Sequence, residues 1–481
     1  MLSSFGLFIE PRGWLMSPTR TLATASLGTV AVLVAFTAPL ANFNETVTGL
    51  GAGHRGGTWV LSSMSIGLGA VLLTAGRLAD DYGRRRVFVI GSLVLGLASL
   101  AGAAAGGVPA FVASRIAAGA GGAAVIAAGL GMIAAAHPAP AARGRATGVW
   151  GASVGAGIAI GPLLGNYLSS LHSWRDVYVV LGAVGLVLAV AARRCPESRS
   201  QHRARLDVAG VLLMALGTAA LLAGLTEGRA GWGRPVTVVL LSAGVAMLAV
   251  FVAVEARSTH PMLDLGLLRR PAFRAVTVAG LATGAGIIAL MSYVSGFVGA
   301  ALGISATTAA WLMLAWSLPS VVAAVLARRL PAAWSGRAQM AVALAVVAVG
   351  QLLVLGVGTG SGPARFVPGL LLAGVATGVL NAAMGRESVA SVPPGQAGLG
   401  SGANNTARYL GSALGVTVVS VVAAPTGAVT AAGLVDGWHR AVLVTSLVSL
   451  VGAAGVALLG ARRDQGGPVA VDAAADAGAG A

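Results

Sequence analysis

The chain contains 481 residues, of which 56% are hydrophobic and 10% are charged. Soluble domains carry about 25% charged residues, and a soluble surface of this size needs more charge than 31 cations and 15 acids provide. The composition therefore excludes a soluble globular protein, a disordered chain and a disulfide scaffold, and it indicates a surface that faces lipid. Every cation is arginine, since the sequence contains no lysine, and the formal net charge is +16.

Fourteen apolar runs are long enough to cross a bilayer as helices, which takes about 20 residues each. They form groups of six, two and six: 21–41, 57–77, 87–107, 110–135, 145–168 and 175–192, then 207–226 and 235–254, then 274–300, 305–327, 338–358, 365–385, 398–424 and 439–461. We predict an all-α membrane protein with two six-helix bundles and two extra central helices.

The arginines lie in the short segments between these runs. With the N-terminus inside, 23 arginines fall in cytoplasmic segments, 6 in external loops and 2, Arg115 and Arg408, within spans. This asymmetry follows the positive-inside rule, and an even number of spans places both termini in the cytoplasm. We expect a multi-pass protein of the cell (inner) membrane. Because the charge is scattered rather than gathered on one polar face, we expect no nucleic-acid partner.

These runs predict seven regions along the chain. They are a cytoplasmic tail (1–20), an N-terminal six-helix bundle (21–192), a linker (193–206), two inserted helices (207–254), a second linker (255–273), a C-terminal six-helix bundle (274–461) and a disordered cytoplasmic tail (462–481). Paired bundles of repeated design are typical of secondary transporters.

The loop between the second and third runs reads GRLADDYGRRRVFVIG, from Gly76 to Gly91. An ordinary basic loop explains its arginines but not the order of its glycines, aspartate and arginines. That order resembles the loop 2–3 motif of the major facilitator superfamily. The resemblance implies the major-facilitator fold and a loop that ties the two bundles together and stabilises the outward-open state. It assigns this conformational switch to Gly76, Leu78, Asp80, Gly83, Arg84 and Arg85.

The fourth run contains an arginine within SRIAAGAGGAA. A charged side chain inside a bilayer is costly, so Arg115 marks a functional site by default; the alternative is that it snorkels to the interface. Arg115 also resembles the arginine of a fourth-helix motif that the superfamily associates with proton transfer. Ala118 stands where that motif has a polar residue.

The fifth run reads GASVGAGIAIGPLLGNYL. Glycines at four-residue spacing allow close helix contact, and Pro162 removes a helix hydrogen bond. The residues Gly157, Gly161, Pro162 and Gly165 resemble the superfamily's antiporter motif, which implies export.

The thirteenth run places Asn404, Asn405 and Arg408 on nearly one helix face. With the six-two-six arrangement, this segment resembles the fourteen-helix drug:proton antiporter family. Together with Trp150 and Asn381, these three residues are candidates for the substrate cavity. The alternatives are that the Trp anchors the interface and that the Asn side chains bond neighbouring helices.

A proton-coupled exporter needs a group that titrates, and none of the 15 acids falls clearly in mid-membrane. Val30 stands where the fourteen-helix family carries an aspartate. The proton-coupling candidates are Glu45, Asp80 and Arg115, of which Arg115 only tunes a partner because arginine keeps its proton.

We therefore expect an exporter of a small amphipathic compound that works by alternating access in exchange for protons. Its partners are that compound, protons and the lipid bilayer, and it acts as a monomer. The alternatives are a metabolite uniporter or importer and, less favoured, a multispan membrane enzyme, for which nucleotide-binding and metalloprotease motifs are missing from the sequence. The six histidines are scattered in loops, so we expect neither a metal site nor a cofactor.

Overall fold

The computed structural model describes residues 18–200, 207–258, 261–331, 333–424 and 430–461. Within these ranges the chain forms helices and no strand. The predicted tail 462–481 and most of the predicted tail 1–20 lie outside the described residues.

Between residues 18 and 200 the first half contains seven α-helices, of which α2 is a short one that the apolar pattern did not predict. They are α1 (Pro18–Thr37), α2 (Phe43–Gly49), α3 (His54–Tyr82), α4 (Arg84–Ala103), α5 (Val108–Ala136), α6 (Pro140–Leu171) and α7 (Asp176–Ala192). Two further helices follow, α8 (Val208–Gly228) and α9 (Pro235–Glu255).

The second half begins with one long span that a wide helical turn interrupts. It runs from α10 (Pro271–Ala282) through the π-helical turn Thr283–Ile288 into α11 (Ala289–Leu302). The remaining helices are α12 (Ala306–Leu326), α13 (Gly336–Leu352), α14 (Val367–Ala390), α15 (Ala397–Val422) and α16 (Ala431–Ala461). Within this turn the Gly286 carbonyl accepts a hydrogen bond from the Gln351 side chain, whose Nε2 lies 3.1 Å away.

Each predicted apolar run corresponds to a helix or to one continuous span in this arrangement. In the described part of the chain, eleven helices are long and apolar enough to cross a membrane, and α7 and α13 are shorter apolar helices. The helix α15 is long but carries several polar residues. Several helices extend beyond their apolar run, as α3 does from His54 to Tyr82, because helical backbone continues into the polar boundary of a bilayer. The number of membrane crossings remains a prediction.

Two separate hydrophobic cores divide the molecule into halves. One core gathers buried side chains mainly from residues 25–195, together with Val389, Ala397 and Tyr409 of the second half, and the other gathers side chains from residues 275–456. In the first half α3 packs on α5, and α4 on α5 and α7; in the second half α14 packs on α12 and α13. The halves meet where α15 packs on α3 and where α12 and α14 pack on α6. The inserted helix α8 packs on α9, α3 and α15, so the pair attaches beside the junction of the halves.

Glycines allow the backbones at these crossings to approach closely. A Cβ added at Gly411 on α15 would meet the backbone of Leu281 on α10, including its carbonyl carbon at 3.0 Å. By contrast, a Cβ added at Gly296 on α11 would meet no atom within 4 Å. The two positions therefore separate the effect of backbone contact from that of helix propensity.

We expect Gly411→Ala to lower the free energy of unfolding by about 1–3 kcal/mol, because the two helices must move apart. Thermal unfolding of the purified protein in detergent measures the change. Gly296→Ala is the matched control and is expected to be neutral or slightly stabilising, since alanine favours helix more than glycine does. Equal melting temperatures for the two variants would contradict this view of the crossing.

Candidate functional site

Three adjoining cavities lie between the two halves. We call them the side cavity (about 230 Å³), the middle cavity (about 50 Å³) and the loop cavity (about 560 Å³). Leu40 borders all three, Phe36 and Ser292 border the side and middle cavities, and Pro162 borders the middle and loop cavities. The three spaces therefore form one region that elements of both halves line.

The walls of this region are largely apolar and aromatic. The middle cavity is lined from α1, α6, the π-turn, α11, α12 and α15, and it includes Trp316 and Tyr409. The Tyr409 ring meets the Phe36 ring edge to face at 5.6 Å. The side cavity adds serine and threonine hydroxyls and a wall from the inserted helix α8. Pockets of this type, apolar with a few polar groups, suit small organic ligands.

Of the five predicted cavity residues, Arg408 borders one of these three cavities, the middle one. Its Nη2 donates to Asn381 Oδ1 at 3.2 Å, so Asn381 is a partner of the guanidinium rather than a wall residue. Asn404 Nδ2 donates to the Val276 carbonyl of α10 at 2.8 Å, and Asn405 Nδ2 donates to Ser401 one turn back at 3.0 Å. Asn404 therefore bonds a neighbouring helix, as the alternative interpretation proposes, whereas Asn405 bonds the backbone of its own helix.

Trp150 is also not a wall residue of the three cavities. It is 1% exposed and packs at the α6–α14 crossing, where a Cβ on Gly385 would meet its ring at 2.9 Å. The indole is thus an interhelical contact within the protein and not an interfacial anchor.

The predicted switch loop brings a carboxylate from the first half onto a helix N-terminus of the second. Asp80 is 1% exposed, and its Oδ1 accepts from Arg84 Nε at 2.9 Å and Nη2 at 2.7 Å. Its two oxygens also accept from the backbone nitrogens of Gly398 (3.0 Å) and Leu399 (2.8 Å). These nitrogens lie in the first turn of α15, where helix N–H groups lack internal partners and favour a negative charge. Asp80 therefore satisfies α15 while Arg84 balances its charge.

Arg84 makes a second connection between the halves. Its Nη2 also donates to the Gly395 carbonyl at 2.8 Å, in the turn before α15. Gly76 lies at the same crossing, since a Cβ there would meet the Gly398 backbone. The predicted switch residues Asp80, Arg84 and Gly76 thus act on a single contact.

The other switch residues shape the loop itself. Gly83 lies between α3 and α4 with φ of 119°, a conformation that favours glycine. The backbone nitrogen of Arg85 donates to Glu197 Oε1 at 3.0 Å. The side chain of Arg85 donates through Nη1 to the Cys195 carbonyl at 3.2 Å. Arg85 therefore holds the segment after α7, within the first half. Leu78 is half-buried on α3.

The predicted antiporter motif of α6 faces α1. A Cβ at Gly157 would meet the Val30 carbonyl at 2.9 Å, one at Gly161 would meet Thr37, and one at Gly165 would meet the Ala38 carbonyl at 2.7 Å. Pro162 lies inside α6 and borders the middle and loop cavities. The glycines thus bring α6 against α1 while the proline faces the space between the halves.

The three proton-coupling candidates lie in different environments. Glu45 is exposed and borders the loop cavity. Asp80 is held in the contact with α15. Arg115 is 2% exposed, donates to the Ala35 carbonyl at 2.7 Å, and its guanidinium carbon lies 5.7 Å from the centre of the Tyr178 ring. The structure therefore does not bring them together into one relay.

Sequence reasoning missed two buried carboxylates on the inserted helices. Glu227, 1% exposed near the end of α8, accepts from Trp59 Nε1 at 2.8 Å and pairs with Arg234 at 3.1 Å. Glu255, 3% exposed at the end of α9, accepts from the Leu263 nitrogen at 3.2 Å. Glu227 and Glu255 both lie where an apolar run meets a loop, so hydropathy alone assigned them to the polar ends of those runs. The signal that marks them is an acid within one turn of a span's end.

No group of three or more His, Cys, Asp or Glu side chains in the described ranges has an arrangement that could hold a metal ion. The lone Cys195 is buried as a free thiol.

The chain is similar in sequence to several bacterial proteins named as resistance proteins or transporters. It is 34% identical over 394 residues to the puromycin resistance protein pur8 of Streptomyces alboniger, covering 80% of this chain and 77% of that protein. It is 31% identical to the probable actinorhodin transporter of Streptomyces coelicolor (76% and 65% covered). It is 30% identical to the multidrug resistance protein Stp of Mycobacterium tuberculosis (77% and 70% covered).

Solved structures share the fold at lower identity. The human organic anion transporter MFSD10 matches with a TM-score of 0.65 at 19% identity, covering 91% of this chain and 99% of that one. The proton:xylose symporter XylE also matches with a TM-score of 0.65, at 15% identity (91% and 94% covered). The sequence profile of the Major Facilitator Superfamily matches residues 21–416. The chain therefore belongs to the Major Facilitator Superfamily.

Proposed function

We propose that this protein exports a small amphipathic compound across the bacterial inner membrane by alternating access, in exchange for protons. In this proposal the fourteen helical spans place both termini in the cytoplasm, and the protein works as a monomer. The observation that carries the proposal is the combination of one apolar cavity region between the halves with one contact, Asp80 on α15, that holds the halves together.

This arrangement supports alternating access for a physical reason. The three cavities lie between the halves, so a compound bound there is released when the halves separate at one end and close at the other. Asp80 and Arg84 supply a contact whose hydrogen bonds either form or break as a unit. Such a contact biases a two-state equilibrium, which a transport cycle requires.

Export is supported by two observations. The antiporter-type glycines of α6 bring it against α1, and Pro162 faces the cavities. The similar proteins are named for resistance to drugs or for transport of an antibiotic-type compound, as in the puromycin resistance protein and the probable actinorhodin transporter. A metabolite uniporter or importer of the same superfamily is the alternative. A membrane enzyme is disfavoured because this superfamily consists of transporters.

Proton exchange requires a carboxylate that changes its surroundings during the cycle. Asp80 meets this requirement in the proposal, because opening of the contact with α15 would remove two backbone donors and expose the carboxylate to water. Glu45, at the loop cavity, is the second candidate. Arg115 has no acid among the partners described above, so its proposed part is to hold α1 through the Ala35 carbonyl.

Transport by inverted membrane vesicles tests the proposal directly. With an acidic lumen, we expect vesicles that contain the protein to accumulate an amphipathic dye, either neutral N-phenylnaphthylamine or anionic anilinonaphthalenesulfonate, and we expect collapse of the pH gradient to abolish accumulation. Vesicles without the protein are the control. Accumulation that does not depend on the pH gradient would contradict proton exchange but not export. Movement of neither compound, with unchanged drug tolerance after gene deletion, would contradict export.

Asp80→Asn tests the contact between the halves. Loss of the charge weakens both the Arg84 pair and the bonds to α15, and breaking a buried ion pair costs about 3–5 kcal/mol. We therefore expect slower transport and a wider distribution of distances between spin labels on α3 and α15, measured by double electron–electron resonance. Glu387→Gln is the control, since Glu387 pairs with its neighbour Arg386 on α14 at 3.4 Å. Unchanged distances in Asp80→Asn would refute the role of the contact.

Labelling of single cysteines tests the fourteen spans. In a Cys195→Ser background, a membrane-impermeant maleimide on intact cells is expected to label Trp232→Cys, between α8 and α9, and Gly360→Cys, before α14. It is expected to leave Ser335→Cys, between α12 and α13, unlabelled until the cells are opened. All three positions are exposed. A protected Trp232→Cys would show that the inserted pair does not cross the membrane.

A further inference from the structure

The charged residues of the side and middle cavities are all of one sign. Arg229 borders the side cavity and Arg408 borders the middle cavity, while the described residues that line these two spaces include no aspartate or glutamate. Among the described residues, the adjoining loop cavity is bordered by one acid, Glu45, which is exposed. The charged side chains in the walls of the side and middle cavities are therefore both positive.

Among the residues that the structure describes, no acidic side chain forms an ion pair that neutralises the charge of Arg408. Arg408 is 5% exposed and its one hydrogen bond to a side chain goes to the uncharged amide of Asn381. Its Nε is buried without a hydrogen-bond partner, and no ion pair to Arg408 occurs in the described ranges. A guanidinium has five N–H donors, and a buried charge is costly unless it is paired. The group is thus ready to bind an anion.

Arg229 extends this field into the side cavity. Its Nη2 donates to Ser62 Oγ and its Nε is buried without a partner. Burial lowers the pKa of Arg229 to about 10, so the group keeps its proton at neutral pH. The nearby Glu227 accepts from Trp59 and pairs with Arg234, and that arginine lies outside the cavity lining.

The walls around the two arginines select for an organic body rather than for an inorganic ion. Phe36, Tyr409 and Trp316 present aromatic surface in the middle cavity. Phe36 and Ser292 connect that cavity to the side cavity. A compound that fills this region buries apolar surface, which stabilises binding in proportion to the area.

We infer that the transported compound is an amphipathic organic anion, whose carboxylate, sulfonate or phenolate group is bound by Arg408 while its apolar body lies against the aromatic walls. This inference rests on the proposed transport function and specifies its substrate class. A lipophilic cation would meet repulsion from both arginines, and the described residues that line the side and middle cavities include no acid to offset it. Export of an anion is also favoured by a membrane potential that is negative inside, so this substrate class needs no carboxylate in the cavity.

A pair of dyes with the same aromatic skeleton tests the charge preference. N-phenylnaphthylamine is neutral, and anilinonaphthalenesulfonate adds one sulfonate to the same rings. We expect the purified full chain, in nanodiscs of zwitterionic lipid, to bind the sulfonate at least about tenfold more tightly than the neutral dye, measured by fluorescence titration with empty nanodiscs subtracted. Equal affinities of the wild-type protein for the two dyes would overturn the inference without any variant.

Substitutions of Arg408 test whether its positive charge causes the preference for the sulfonate dye. Arg408→Gln is expected to weaken sulfonate binding about tenfold and to leave the neutral dye unchanged, whereas Arg408→Lys retains most of the preference. Arg175→Gln is the control, because Arg175 is half-buried, lies over the Trp174 ring at 4.3 Å and borders none of the three cavities. An equal loss for both dyes in Arg408→Gln would assign Arg408 to structure and would contradict the inference.

Two further readouts separate the possible outcomes. Anionic phosphatidylglycerol in the nanodiscs carries the same chemistry, and competition with the sulfonate dye that disappears in Arg408→Gln would identify a lipid headgroup as an occupant of the site. Transport of the neutral dye without a charge preference would preserve the proposed function and refute the anion site. A charge preference without transport of either dye would preserve the site and count against the proposed function.

Discussion

The structure depends on one carboxylate that satisfies the first turn of a helix in the other half of the molecule. Asp80 accepts from the backbone of Gly398 and Leu399 while Arg84 balances its charge. A helix N-terminus buried at an interface needs such acceptors, because its first N–H groups have no partner within the helix. The same four groups therefore satisfy the start of α15, fix the crossing of α3 over α15 and join the halves.

Close approach of backbones makes that contact possible. The positions that face each other at the crossing are glycines, Gly76 on α3 and Gly398 on α15. Side chains there would hold the helices apart and move the α15 nitrogens out of reach of Asp80. Glycine thus allows close backbone approach at the crossing of α3 and α15, as it does on α6, where Gly157 and Gly161 contact α1. Packing between helices in a membrane depends on such contacts, because lipid offers little hydrophobic drive for association.

The helices α8 and α9 contribute to the candidate site. The helix α8 lines the side cavity with Leu222, Leu225 and Thr226 and packs on both α3 and α15. The helix α9 packs on α8 and presents Val238, Val239 and other apolar side chains outward. In a bilayer such a surface faces lipid. The pair therefore combines a lipid-facing helix with a helix that forms part of the cavity wall.

The sequence by itself determined the class of the protein and the order of its helices, and its loop motif identified Asp80 and Arg84 as candidates. Runs of apolar residues form helices in lipid because every backbone group must be satisfied within the segment, and the loop motif is local. Only the tertiary structure decided which polar side chains of α15 face the cavity. Asn404 and Arg408 lie one turn apart, yet Asn404 bonds the α10 backbone and Arg408 borders the middle cavity. Their roles differ because neighbouring helices cross α15 at different heights, and such crossings depend on contacts between residues far apart in the chain.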